Sequence, residues 1–163
     1  MRPVRWFLNV VPRTLRAFVP ALARPDDPFA REVLRPEEFA LYLRMDPRDR
    51  HHGVAVARAV LARDPGAESV VLRAAILHDV GKSVAPYRAW ERIAVHVLVP
   101  ASRRPRRGAL GDALRRHLEH AERGAELIRA AGGDSRVADL VARHHHSDPE
   151  PHLALLRAAD EAT

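Results

Sequence analysis

An apolar stretch, Ala74-Ala75-Ile76-Leu77, ends abruptly in His78-Asp79 and continues as Val80-Gly81-Lys82. That ending constrains the chain more than any other feature. A His and an Asp at the close of an apolar segment need polar company, and the chain offers it at a distance. One histidine lies upstream (His52), others lie downstream (His120, His144, His145), and an aspartate stands near the end (Asp160). Imidazole and carboxylate are the donors that first-row divalent metals favour. If the fold gathers these positions at one point, they can hold a divalent metal there.

The pattern is helical throughout. Hydrophobic residues make up 47% of 163, mostly Ala, Val and Leu, and aromatics only 5%. Ala, Leu and Arg favour helix, the β-branched and aromatic runs of a sheet protein are scarce, and no alternating strand pattern or internal repeat occurs. Pro36 suits a first helical position with Glu37 and Glu38 in the first turn, and Phe39, Leu41, Tyr42 and Met45 supply apolar contacts. Asp46-Pro47 separates this helix from a second, over about 48–63, which Asp64-Pro65-Gly66 closes. A third is expected over 67–78, with Gly81 as its stop. Others are expected over 87–99, 112–131 (ended by Gly132-Gly133), 135–146 and 149–160. The length suits a single well-cored domain. The expected architecture is all-α, a bundle of about six or seven helices over residues 36–163.

Residues 1–35 read differently. They form a basic arm with Pro3, Pro12, Pro20, Pro25 and Pro28, which rule out long unbroken helices. Arg2, Arg5, Arg13 and Arg16 share one helical face opposite Val4, Phe7, Leu8, Val11, Leu15, Phe18 and Leu22. Such a face suits peripheral contact with a membrane or a partner chain. An arm packed on the domain's own core is the plainer reading, because Pro12 interrupts the face. The basic stretch Arg103, Arg104, Arg106 and Arg107 reads most simply as a solvated loop. The formal charge of +6 suggests an anionic partner without naming one. The chain has no Cys, so disulfides and thiolate chemistry are excluded, and any metal must be held by His and carboxylate. No segment is long and apolar enough to span a bilayer, and the N-terminal apolar stretch is too short for a signal-peptide core. A cytoplasmic protein is the default expectation.

Divalent cations held by such donors activate water for attack on phosphate esters. Asp79 has two carboxylate oxygens and can bridge two cations. Lys82, three residues on, can stabilise charge on a phosphate or protonate a leaving group. Each histidine alone has a structural reading, as a core or capping residue. The run His144-His145-His146 is the more unusual, because adjacent imidazoles do not bury without partners.

Taken in order, His52, then His78-Asp79, then Asp160 resembles the HD superfamily of metal-dependent phosphohydrolases. HHGVAVARAVL resembles that family's first-histidine helix, where the ligand is followed four and five residues later by Val-Ala; this register selects His52 over His51. AAILHDVGKS matches the HDIG-type core with Val80 in place of Ile, and LLRAADEAT resembles the helix that brings the last aspartate. HAERGAELI and VARHHHSD resemble the HPExGAxIL and paired-histidine segments of the HD-GYP-like subgroup.

The resemblance, over roughly residues 40–163, implies that His52, His78, Asp79 and Asp160 hold one metal. It implies that Asp79, His120, His144 and His145 hold a second, with Lys82 beside the site. It implies hydrolysis of a phosphomonoester, nucleotide or cyclic (di)nucleotide by metal-activated water, with Asp79 and Lys82 as the catalytic pair. Two divalent ions are expected, iron or manganese favoured over magnesium, nickel, cobalt or zinc. The Gly-Tyr-Pro loop is absent, since the chain reads SDPEPHL after the histidines. That departure puts cyclic di-GMP hydrolysis in doubt. Arg48 stands where trinuclear members carry Glu, so a third metal is unsupported. His117 rivals His120, but the HAERG wording favours His120. The competing reading is a non-catalytic HD-type module that binds metal or nucleotide in a regulatory or membrane-associated role. Nucleic-acid binding through the arginines is weaker still, and nothing in the chain fixes the oligomeric state.

Overall fold

The computed structural model describes residues 23–84, 109–146 and 149–163, and the side chains of all of these except 109–118. Within them the chain forms seven α-helices and no strand: α1 Asp27–Val33, α2 Pro36–Leu43, α3 Pro47–Arg63, α4 Ser69–Leu77, α5 Ala109–Ala130, α6 Ser135–Arg143 and α7 Pro151–Glu161. A 3-10 turn, Val80–Val84, follows α4. The all-α expectation holds. The helix expected over 87–99 and the basic stretch 103–107 lie outside the described residues, as does most of the N-terminal arm.

Side chains at the helix starts explain where the chain turns. Asp46 caps α3, its carboxylate accepting from the Arg48 amide at 2.9 Å with Pro47 at the first helical position. Asp134 does the same for α6 through the Arg136 amide (2.9 Å), and Glu150 for α7 through the amides of His152 and Leu153. The last helix thus begins at Pro151 rather than Pro149, because the Glu150 cap outweighs the Asp148-Pro149 signal. α5 ends as expected at Gly132, where φ is +79° and the Gly133 amide reaches the Ile128 carbonyl at 2.9 Å.

The short helix α1 falls in the Pro-rich arm. Asp26 caps it, Pro28 sits in its first turn, and Ala30 is fully buried against the core. Tyr42 on α2 donates its hydroxyl to Asp27 at 2.7 Å, tying α1 down. Burial, and then the bond to Asp27, raises the Tyr42 phenol well above its ordinary value.

Helix α4 is the centre of the bundle. It packs against α1, α2, α3, α6 and α7, and seven of its nine residues are buried: Val70, Val71, Arg73, Ala74, Ala75, Ile76 and Leu77. A helix covered on all sides has no polar face to offer, so its one charged member needs a partner. Arg73 finds it in fully buried Glu38 of α2, with Nε–Oε2 at 2.8 Å and Nη2–Oε1 at 2.5 Å. Arg73 also reaches Asp134, the cap of α6, at 3.3 Å. The pair locks α2, α4 and the start of α6 together.

Candidate metal centre

Five helices and the 3-10 turn bring the predicted residues together. His52 comes from the second turn of α3 and His78 is the C-cap of α4. Asp79 follows at once, and Lys82 lies in the 3-10 turn. His120 comes from α5, His144 is the C-cap of α6 with His145 next to it, and Asp160 lies in the last turn of α7. The ends of α4, α6 and α7 converge here. Helix C-termini carry partial negative charge, so each favours a cation nearby by about 0.3–1 kcal/mol.

The donors form two groups, each with its ligand atoms within 4.8 Å of one another: His52, His78 and Asp160, and His120, His144 and His145. In the first, His52 Nε2 lies 2.9 Å and His78 Nε2 3.8 Å from Asp160 Oδ1. In the second, His145 Nε2 lies 3.3 Å from His120 Nε2, and the His144 and His145 rings are 3.9 Å apart. Asp79 stands between them. Its Oδ1 is 3.3 Å from His120 Nε2, and its Oδ2 is 3.5 Å from His78 Nε2. The His78 and His144 rings, 5.2 Å apart, join the two groups behind it.

Two histidines are aimed by the same device. Each follows a nine-residue helix and donates its Nδ1–H to the carbonyl three residues back: His78 to Ala75 at 2.9 Å, His144 to Val141 at 2.6 Å. That bond selects the tautomer with its lone pair on Nε2, the form a metal needs. Those two carbonyls were not legible as site groups, because a backbone acceptor leaves no mark on residue identity. His144 Nε2 is buried and has no hydrogen-bond partner, one of two such side-chain atoms among the described residues. Burial, and then the neighbouring imidazoles of His78 and His145, hold the His144 pKa well below its ordinary value, so the ring stays neutral. An unpaired lone pair in a buried, neutral imidazole is a position where a cation can bind. His145, exposed at the rim, is lowered to about 4 by desolvation and then by His120.

The carboxylates are equally ready. Burial would raise the Asp79 carboxyl, but Lys82 first, then His78 and His120, overcome this and hold it well below the usual range. The Lys82 ammonium donates to Asp79 Oδ2 at 2.6 Å. Asp160 is likewise depressed: burial works against ionisation, and the bond to His52, with the nearby His78 imidazole, outweighs it. His78, Asp79, His120 and His144 are buried, whereas His52 and Asp160 are about 30% exposed. The cluster thus has a closed floor and an open rim.

All seven predicted donors and Lys82 lie within this cluster. The other histidines whose side chains are described lie elsewhere. His51 turns away, its Nδ1 2.9 Å from the Arg24 carbonyl oxygen. His152 lies between Glu68 and Glu150, and His146 is exposed. His96 and the side chain of His117 are outside the described residues. Arg48 pairs with its own cap, Asp46, at 2.8 Å. Gly81 does not stop α4 through a left-handed conformation: its φ is not positive, and α4 ends ahead of it. No helix among the described residues is long and apolar enough to cross a membrane.

Comparison with curated proteins and with solved structures returns no match. A family model does match: HD domain, over residues 50–162, a span that runs from the start of α3 to the end of α7 and encloses every donor described above. The chain belongs to the HD domain family.

Proposed function

We propose that this chain is a metal-dependent phosphohydrolase whose centre holds two divalent cations with Asp79 shared between them. The observation that carries the reading is the placement of Asp79, one oxygen toward His120 and the other toward His78, between two groups of three donors. Membership of the HD domain family supports hydrolysis as the reaction class. Bound divalent cations would lower the pKa of water and take up charge on a phosphate ester.

The chain's own residues supply the rest. His52, His78 and Asp160 form one cradle, and His120, His144 and His145 the other. The mixed imidazole and carboxylate set suits iron or manganese better than magnesium. Lys82 holds an ammonium at the edge of Asp79, where a phosphate oxygen can take it as a second partner. The closed floor keeps bulk water from behind the donors, and the rim of His52, Asp160 and His145 marks the side from which substrate enters. The substrate is a phosphorylated small molecule: a phosphomonoester, a nucleotide or a cyclic nucleotide.

The test is turnover of p-nitrophenyl phosphate and bis(p-nitrophenyl) phosphate by protein loaded with iron or manganese. Hydrolysis is expected, with a loss of at least about a hundredfold in Asp79→Asn. Retained metal with no turnover of any phosphoester, or an unchanged rate in Asp79→Asn, would refute the enzyme reading in favour of a binding module.

A further inference from the structure

Three glycines occupy close contacts, two of them blocked to any side chain by backbone and the third tight, and each contact joins elements that carry the donors. On α3, Gly53 adjoins His52. A Cβ at Gly53 would lie 2.3 Å from the carbonyl oxygen of Ile76, two residues before His78 on α4. Within the 3-10 turn, Gly81 sits between Asp79 and Lys82 on one side and α5 on the other. A Cβ there would lie 2.0 Å from the carbonyl oxygen of His120 itself and 2.8 Å from the Gly124 amide nitrogen. Gly124, one turn after His120, completes the crossing from α5. Its Cβ would meet Val141 Cγ1 at 3.1 Å and Gly81 N at 3.2 Å. Val141 is the residue whose carbonyl aims His144.

Other described glycines behave differently. A Cβ on Gly66 makes only an ordinary 3.5 Å contact, and one on Gly132 meets nothing within 4 Å. Gly133 is crowded by Ile128 of the helix it terminates, at 2.8 and 2.9 Å, with Glu38 Cγ at an ordinary 3.5 Å.

We propose that Gly53, Gly81 and Gly124 are positioning residues of the metal centre, Gly53 setting the distance between His52 and His78, and Gly81 with Gly124 setting the distance between Asp79 and His120. This rests on the two-cation reading above. The Gly53 and Gly81 obstacles are backbone atoms, so no rotamer change relieves them. Restoring ordinary contact at Gly53 would move α3 from α4 by about 1 Å. Metal ligation tolerates roughly 0.2 Å, so a shift that a bundle survives is one that a ligand set does not.

The probe is cobalt(II), read by its visible absorption spectrum and by titration of the full chain. Wild type is expected to bind two equivalents. Gly53→Ala is expected to weaken one equivalent at least about tenfold and change its spectrum, with the other retained. Adding Gly53→Ala to His52→Ala should weaken that equivalent little further, as coupled positions do. Gly124→Ala is the milder change, with contacts of 3.1–3.2 Å. It should fold and disturb the equivalent that His120→Ala removes, and it decides the matter if Gly53→Ala does not fold. Ile76→Ala should fail to restore Gly53→Ala, because the clash is with backbone. Gly66→Ala, and Val60→Ala at the far end of α3, should leave the spectrum unchanged even where Val60→Ala lowers stability. Wild-type affinity and spectrum in both Gly53→Ala and Gly124→Ala would overturn the positioning role while leaving the metal reading intact. No cobalt bound by wild type would overturn the metal reading first.

Discussion

Replacing Arg73 by Met leaves the Glu38 carboxylate buried in the middle of the bundle with its cation removed. Glu38 is fully buried, and its partner is 5% exposed. Two hydrogen bonds, at 2.8 and 2.5 Å, are lost together. The Arg35 amide at 3.2 Å is then the one other hydrogen-bond partner of Glu38 among the described residues. Removing one member of a buried ion pair costs about 3–5 kcal/mol, a large share of a total that is typically about 5–15 kcal/mol. With a urea slope of about 2 kcal/mol/M, the midpoint should fall by about 2 M at pH 7. Urea unfolding in chelator at pH 7 measures this. A deficit below about 1 kcal/mol would refute the buried-charge reasoning and leave a simple packing loss.

The metal-free protein should lose stability as pH falls below about 6.5. His144 and His145 have lowered pKa values in the fold, His145 at about 4. Groups of this kind contribute stability above the unfolded pKa and lose it as protons bind the unfolded chain more readily. Thermal melts in chelator should show the fall, and His144→Gln should flatten it. Gly132→Ala should cost about 1 kcal/mol, because φ there is +79° and the added Cβ meets nothing. Denaturant unfolding would contradict this with a loss near zero. Lys82→Met should retain metal content but lower phosphoester turnover, and equal turnover would remove Lys82 from the proposed mechanism.

Much of this molecule was legible because its signals are local. Apolar periodicity and Pro, Asp and Gly punctuation placed α2 to α7 to within a few residues. The donors stood out by the order of His52, His78-Asp79 and Asp160 and by the resemblance of their segments to one family, since each histidine alone has a structural reading. What stayed hidden was relational. Glu38 read as an ordinary first-turn acid of α2, because nothing local says that Arg73 will be buried against it. Gly81 read as a helix stop, since its contact is with a carbonyl some forty residues away on α5. Asp148-Pro149 was a plausible start for α7, and the stronger cap of Glu150 prevailed. α1 was obscured by the prolines around it, although Pro28 sits in a first turn where proline is harmless.

The most direct test of a shared carboxylate between two cations is the metal content of untagged protein, purified without added metal, beside Asp79→Ala prepared in parallel. The account predicts about two first-row metals per chain, largely lost from the variant. One metal in wild type would reduce the centre to a single cradle. None, even after iron or manganese is supplied, would contradict the account.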